Sequence, residues 1–337
     1  MLTQELNRVL AGDSLTDREM EAVIDKIASK QESDAQVGAF LAALRMKGET
    51  VQEVTGAARY LRRRGVFIDT GAAEVMDIVG TGGDQSYSFN ISTTSSFVAA
   101  GAGVVVAKHG NRSVSSKCGA ADVLAELGFN LETSPETMEE SIRDNGIGFL
   151  FAQKMHPVLG GVAPIRRALG VRTVFNILGP LTNPAGATTQ LTGVYDASIT
   201  ELLAGAMREL GVKRAMVVHS ADGMDEISAN TPTRVTELRD GAIHTYDLQP
   251  SLCLDDYEPG PIGGGSPAEN AEITRGILAG RDRGPNRAVV LINAGAAIYL
   301  YGLADSVRDG VKLAEESIDS GRAQEKLEAL VKASRQG

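Results

Sequence analysis

The sequence predicts an α/β protein in which a small N-terminal helical domain, completed by a later helical insertion, joins a larger α/β domain with a mostly parallel central sheet. Three observations lead there. The first ~65 residues carry apolar positions three and four apart with repeated helix-start signals. From Glu74 onward, short apolar runs alternate with glycine or polar turns and Ala-rich helical stretches, the pattern of a parallel sheet with crossover helices. Between Met155 and Gly186 the pattern returns to helix and loop. The expected division is residues 1–68 with 154–187 in one domain, and 69–153 with 188–337 in the other.

The N-terminal segment reads as about four short helices. Thr16 with Glu19, Ser33 with Gln36, and Thr50 with Glu53 have capping-box spacing, in which hydroxyl and carboxylate or amide satisfy each other's orphan backbone donors. Leu15 and Met20 suit a hydrophobic staple, and Gly48 and Gly65 stand where helix stops are expected. In the second part, EVMDIV, GVVVAK, GIGFLFA, RAMVVHS and RAVVLIN are the strand candidates. Ser134–Pro135 and Ser266–Pro267 open helices with proline in the first turn. VTELRDGAIHTYDL has a DG turn between alternating segments and reads as a hairpin.

Composition narrows the class. The chain has 337 residues with 43% hydrophobic content and a net charge of −10, so it repels nucleic acid and anionic membrane as a whole. Any phosphate must be held by a local site. Cys118 and Cys253 are far apart and in no zinc spacing, which suits a reducing compartment. MLTQELNRVL has neither a basic start nor a continuous apolar stretch, so no export signal is read and a cytoplasmic location is expected. The apolar run from Ala288 is interrupted by Asn293 and Gly295 and reads as a buried strand entering a buried helix, not a membrane span.

Four elements carry chemistry. In DIVGTGGD a strand runs into Gly80, Thr81, Gly82, Gly83 and Asp84, and NISTTSSFVAAGAG then begins a helix. Glycines let amides approach phosphate oxygens, and the helix start adds unpaired amides and the positive end of a dipole. Asn90, Ser92 and Thr93 stand at that start. A tight turn capped by Asn90 would use the same residues. The sequence lacks both the third glycine of a dinucleotide fingerprint and the lysine of a P-loop.

The second element, VVVAKHGNRSVSSKCGAADVLAELG, brings Lys108, His109, Asn111, Arg112, Ser113, Ser115, Ser116 and Lys117 into one loop. A solvated basic loop is the alternative, but such loops are rarely fed by so apolar a strand. Two donor-rich strand-to-helix turns would lie side by side at the carboxyl edge of the sheet, where ligands of such folds bind. The third, HSADGMDEIS, presents Asp222, Asp225 and Glu226. Adjacent carboxylates on a loop are ordinarily solvated surface; beside a polyphosphate site they suit magnesium. The fourth, MHPVLGGVAPIRRALGVRTVFNILGPLTNP, consists of helical pieces broken by Pro157, Pro164, Pro180 and Pro184. Its Arg166 and Arg167 suit a carboxylate, although each alone reads as a surface charge.

Taken in order, GTGGD, NIST, KHGNR, the HP segment with its arginines, FNILGPLTNP and the DE turn resemble the anthranilate phosphoribosyltransferase family over almost the whole chain. The resemblance implies transfer of the phosphoribosyl group of 5-phosphoribosyl 1-pyrophosphate (PRPP) to the amino group of anthranilate in tryptophan biosynthesis, with magnesium. It also implies an active site between the domains and a homodimer contacting through the helical domain. Carried onto matching positions, Gly80, Gly83, Asp84, Ser88, Asn90, Ile91, Ser92 and Thr93 would hold PRPP. The loop Lys108, His109, Gly110, Asn111, Arg112, Ser113, Val114, Ser115 and Ser116 would close over it, with Ala120 at its end. Two magnesium ions are implied, one on Ser92 and one on Asp225 with Glu226. Gly80, Asn111 and Arg166 would contact anthranilate, with His109 and His156 near its ring; no catalytic acid or base is required, His109 being the one candidate. Where the family commonly reads SGS after Lys117, this chain has Cys118, Gly119 and Ala120, losing two hydroxyls while keeping the backbone amides. The alternatives are a pyrimidine nucleoside phosphorylase-like enzyme, whose phosphate motif differs, and a non-catalytic paralogue that binds phosphorylated ligands.

Overall fold

Helix-start chemistry and apolar spacing agree over the first segment. In the computed structural model, which describes residues 2–113, 117–255 and 257–336, α1 (Thr3–Leu10), α2 (Asp17–Ala28), α3 (Asp34–Lys47) and α4 (Val51–Arg64) follow one another. All three expected capping boxes form. Glu53 does more than cap: its buried carboxylate also accepts from the Leu15 amide and from Lys47 Nζ, each at 2.9 Å, so one side chain joins α4 to the entry of α2 and the end of α3. Gly48 ends α3 at φ +88, whereas Gly65 ends α4 with extended backbone and no left-handed cap.

The α/β part runs β1 (Met76–Gly80), α5 (Ile91–Gly101), β2 (Val106–Gly110), α6 (Ala120–Glu126), α7 (Pro135–Asn145), β3 (Ile147–Phe151), α8 (Ala152–Met155), α9 (Ala163–Leu169), β4 (Thr189–Gly193), α10 (Thr200–Glu209) and β5 (Arg214–Ser220). It ends with β6 (Thr233–Arg239), β7 (Ala242–Leu248), α11 (Pro267–Leu278), α12 (Pro285–Tyr301), α13 (Val307–Asp319) and α14 (Arg322–Ser334). The sheet order is β3-β2-β1-β4-β5-β6-β7; the first five are parallel, and β6 and β7 add an antiparallel hairpin. Its turn, Asp240–Gly241, has positive φ at both residues, as a DG hairpin requires. The chain leaves central β1 for β2 and β3 on one side and returns to β4 on the other. The carboxyl ends of β1 and β4 therefore flank the point where strand order reverses, the place where such sheets open a crevice.

Two sequence expectations need correction. RAVVLIN is not a strand; it lies in the 17-residue helix α12. That helix is buried on nearly every side, so it carries no 3.6-residue period, and its β-branched run imitates a core strand. Gly295 is where α13 crosses: a Cβ there would lie 2.6 Å from the Val311 amide, and one on Gly310 would lie 2.1 Å from the Gly295 carbonyl. Conversely β4, TQLTG, is absent from the strand candidates because its threonines and glutamine look solvated; all five residues are buried.

Val162, Val174, Phe175, Leu178 and Leu181 of the insertion share one apolar core with Val23, Phe40 and Leu61, and the same core continues through Leu203 and Met207 to Val217. Arg62 reinforces the seam, donating to the carbonyls of Leu181 (2.6 Å) and Leu210 (3.1 Å). The prolines at 157, 164 and 180 start short helical pieces instead of breaking them. Among the described residues, no helix is long and apolar enough to cross a membrane.

Candidate active site

Gly80 ends β1 in register with Gly193, which ends β4, and the Thr81 amide closes this pair on the Gly193 carbonyl at 2.9 Å. The chain then reverses through Gly82 (φ +66) and Gly83 (φ +77), followed by Gln85 (φ +62) and Tyr87 (φ +55). The last two are side-chain-bearing residues in the left-handed region, at roughly 1–2 kcal/mol each. Strain of that kind persists where surrounding structure imposes it and clusters at functional loops. Asp84 accepts from the Ser86 amide (3.3 Å) and the Asp225 amide (3.2 Å), and Ser86 bonds Ser88 through their hydroxyls at 3.2 Å.

The DE turn lies directly on the paired glycines. A Cβ at Gly193 would stand 1.6 Å from the Asp225 backbone oxygen, and one at Gly80 would stand 2.5 Å from Asp225 Oδ2. At Gly193 the obstacle is backbone and only glycine leaves room for the turn, whereas at Gly80 it is the movable end of a side chain. Asp225 Oδ2 accepts from the Gly82 amide (2.8 Å), and Glu226 Oε1 accepts from the Ser92 amide (3.1 Å) at the start of α5. The helix start is thus satisfied by a carboxylate from a distant turn. Asn90 does not cap α5 with its side chain, correcting the simple capped-turn reading. Its amide instead donates to the Cys118 carbonyl (3.3 Å) and accepts from Asn270 Nδ2 (3.1 Å) and the Cys118 thiol (3.2 Å). Ile91 and Thr93 are buried, so the Thr93 hydroxyl is not presented to the crevice as expected. Asp222 is exposed, and its carboxylate is engaged by the hydroxyls of Ser220 (2.5 Å) and Ser228 (2.6 Å).

Burial pushes the Asp225 and Glu226 carboxyls upward from their usual range, and the charges of Asp84 on Asp225, and of Asp225 on Glu226, push the same way. The buried Lys108 ammonium opposes the shift at Glu226. Lys108 Nζ donates to the Ile78 carbonyl and to Ser92 Oγ (3.2 Å); burial lowers its own pKa while Asp77, Glu226 and Asp225 hold it up. Asp77 accepts from the His109 amide (3.0 Å) and from Asn183 Nδ2 (2.7 Å) beneath the strand ends, and burial pushes it up to about 6.

His109 and His156 meet edge to face, centroids 5.2 Å apart. His109 Nδ1 lies 3.2 Å from the Gly179 carbonyl and His156 Nε2 lies 2.8 Å from the Thr182 carbonyl, which assigns the proton to those nitrogens. Burial first, then His156, pulls His109 down to about 3, so it is a neutral imidazole at neutral pH. Asn111 Oδ1 accepts from the Arg112 amide (2.8 Å) and Gln153 Nε2 (3.2 Å). Arg112 pairs with Asp122 at 2.8 Å, and Asp122 also accepts from the Ser113 (3.0 Å) and Gly119 (2.9 Å) amides. Gly110 ends β2, Ala120 begins α6, and the Cys118 thiol is pushed by burial up to about 11. Val114, Ser115 and Ser116 lie outside the described residues. Arg166 sits on α9 with its guanidinium 5.7 Å over the Phe175 ring. Among the described residues its side chain makes no hydrogen bond or ion pair.

Sequence reasoning missed Arg172, Asp77 and Asn183. Arg172 donates to the Gly83 carbonyl and stacks 3.9 Å over Tyr195, whose amide bonds Thr81 Oγ1 at 3.1 Å. Nothing in the sequence distinguishes it from its neighbouring arginines. Among the described residues, no set of three or more His, Cys, Asp or Glu side chains is grouped to hold a metal by itself. Two adjacent, partly exposed carboxylates and one hydroxyl suit magnesium completed by a ligand's phosphates, since that ion is commonly held by one or two carboxylates plus substrate oxygens.

A helical bundle against an α/β sheet, with glycine turns and paired carboxylates at the strand ends, is the arrangement of a glycosyl transferase class. Residues 3–65 match the glycosyl transferase family helical bundle domain and residues 72–324 its a/b domain. The chain belongs to the anthranilate phosphoribosyltransferase family. It is 51% identical over 332 residues to anthranilate phosphoribosyltransferase of Desulfosudis oleivorans, covering 98% of each chain. Among solved structures it resembles anthranilate phosphoribosyltransferase of Thermus thermophilus (TM-score 0.92, 40% identity, covering 98% of this chain and 99% of that one). It also resembles the Saccharomyces cerevisiae enzyme in complex with PRPP and Mg (TM-score 0.90, 28% identity, covering 100% and 98%).

Proposed function

We propose that this protein transfers the phosphoribosyl group of PRPP to the amino group of anthranilate, releasing pyrophosphate and N-(5-phosphoribosyl)anthranilate, in the route to tryptophan. The observation that carries this is the convergence of the Gly80–Asp84 turn, the start of α5 and the Asp225–Glu226 pair on one strand end. Family membership supplies the substrates. Gly80, Gly83, Asp84, Ser88 and the start of α5 from Asn90 to Thr93 take the PRPP side, with Ile91 and Thr93 contributing backbone. The loop from Lys108 to Ser116, with the Ala120 amide at its end, covers it. Asp225, Glu226 and Ser92 hold magnesium, two ions in all, which neutralises the charge of the leaving pyrophosphate when bound. The residues otherwise act by position and charge. Lys108 places its Nζ beside Ser92, and Arg166, with no ionic partner among the described residues, takes the anthranilate carboxylate. Gly80 and Asn111 line the acceptor side. An aromatic amine already has a free lone pair, so neutral His109 is assigned no proton transfer; it and His156 shape the acceptor side.

The domain division at residues 1–68 with 154–187 against 69–153 with 188–337, a homodimer through the helical domain and a cytoplasmic location belong to the same reading. Exposed Leu10 and Met46 on α1 and α3 support the dimer contact. The test is Asp225→Asn combined with Glu226→Gln: turnover at limiting magnesium falls while the circular dichroism spectrum is kept. Wild-type turnover at limiting magnesium would remove these carboxylates from the site.

A further inference from the structure

Asn293 is the one amide side chain inside the apolar run of α12, and nothing in the reaction calls on it. It is fully buried. Its Oδ1 accepts from the Ile227 amide at 3.0 Å, and its Nδ2 donates to the Ile227 carbonyl at 2.8 Å and to the Val289 carbonyl at 2.8 Å. A primary amide offers one acceptor and two donors in a plane, and here it pairs both backbone groups of Ile227 as a neighbouring strand would. Ile227 immediately follows Glu226, and its own side chain is fully buried.

The turn needs such a clamp. It carries the adjacent carboxylates Asp225 and Glu226, whose charges repel each other, and it is pressed against Gly80 and Gly193. On the Asp225 side it is held by the Gly82 amide and by Asp84, and on the Glu226 side by the Ser92 amide. Those bonds involve the carboxylates themselves or lie within the site, so they would be available for exchange when a cation and phosphates enter. The clamp on Ile227 lies behind the turn, in the core. We infer that Asn293 is a positioning residue that fixes the Asp225–Glu226 turn from behind and so sets the affinity for divalent cation. This rests on the proposed role of those two carboxylates.

Asn293→Leu keeps the volume and removes all three bonds; Asn293→Asp keeps the acceptor and removes the donors. Binding of Mn2+ to the full-length protein in the presence of PRPP is read by electron paramagnetic resonance, alongside the magnesium dependence of turnover. The expected result for Asn293→Leu is a roughly tenfold weaker Mn2+ affinity and a matching rise in the magnesium needed for half-maximal rate, with KM for anthranilate within twofold of wild type. Asn293→Asp falls between the two. Ser141→Ala, which removes a buried hydrogen bond of 2.8 Å to Ile147 beside β3, controls for general loosening and leaves Mn2+ affinity unchanged. Wild-type Mn2+ affinity in a folded Asn293→Leu protein overturns the inference, as does an equal loss in Ser141→Ala. If Asn293→Leu does not fold, Asn293→Asp carries the same comparison. Asp225→Asn with Glu226→Gln separates the two claims: retained Mn2+ binding there sinks the carboxylate assignment itself, whereas loss there with none in the Asn293 variants sinks only the clamp.

Discussion

Gly193 is the position at which a single methyl group should be most damaging to this site. A Cβ there would lie 1.6 Å from the Asp225 backbone oxygen and 2.4 Å from its carbonyl carbon. Reaching ordinary contact at 3.4 Å requires about 1.8 Å of separation, and the obstacle is backbone, which cannot swing aside as a side chain does. The turn is fixed on its other face by Asn293, so the shift falls on Asp225 and Glu226. A misplacement of about 1 Å costs on the order of 10²-fold in rate, so Gly193→Ala should lower kcat/KM for PRPP by at least that factor. Overpacking itself should remove about 1–3 kcal/mol of stability, a few degrees in Tm. At Gly80 the obstacle is Asp225 Oδ2 at 2.5 Å, the mobile end of a side chain. Gly80→Ala should therefore sacrifice mainly the hydrogen bond from the Gly82 amide, about 1.5–3 kcal/mol for a charged acceptor, and be the milder variant. The assay is initial rate by loss of anthranilate fluorescence at fixed magnesium, with thermal melts to show folding. A folded Gly193→Ala enzyme within twofold of wild type, or one milder than Gly80→Ala, would refute this packing argument.

Arg166→Ala should raise KM for anthranilate by an amount equivalent to about 1–3 kcal/mol with little change in KM for PRPP; unchanged KM for anthranilate removes Arg166 from the acceptor side. The His109 pKa is depressed in the folded state to about 3 against about 6.5 unfolded. The unfolded chain therefore binds the extra proton between these values, and stability is complete above pH 6.5 and lost as pH falls toward 3. His109→Gln should remove about 1–2 kcal/mol of the stability difference between pH 7 and pH 5 in urea titrations; equal pH dependence in both proteins would contradict a buried neutral imidazole.

How much was legible follows from what each signal depends on. Capping boxes are local, and Thr16–Glu19, Ser33–Gln36 and Thr50–Glu53 all formed as spaced. Glycine-to-helix turns are also local, and Gly80–Asp84 and the start of α5 were visible for that reason. Signals that depend on what packs alongside were lost. A helix buried all round, α12, has no period to read, and the polar strand β4 owes its burial to neighbours on both sides. Within the site, Asp225 and Glu226 could be picked out as a pair, but Asp222 looked equivalent until its two serine partners were known. Asp77 with Asn183, Arg172 with Gly83 and Asn293 with Ile227 are each paired across more than 60 residues, a distance over which a sequence pattern carries no geometric information.

The central claim is that the strand-end site joins a phosphoribosyl donor to anthranilate. Its most direct measurement is the fluorescence of anthranilate mixed with the purified protein, with PRPP and magnesium added separately and together. The account predicts loss of fluorescence only when both are present, with stoichiometric release of pyrophosphate. Fluorescence unchanged in the complete mixture, or lost without PRPP, would contradict it.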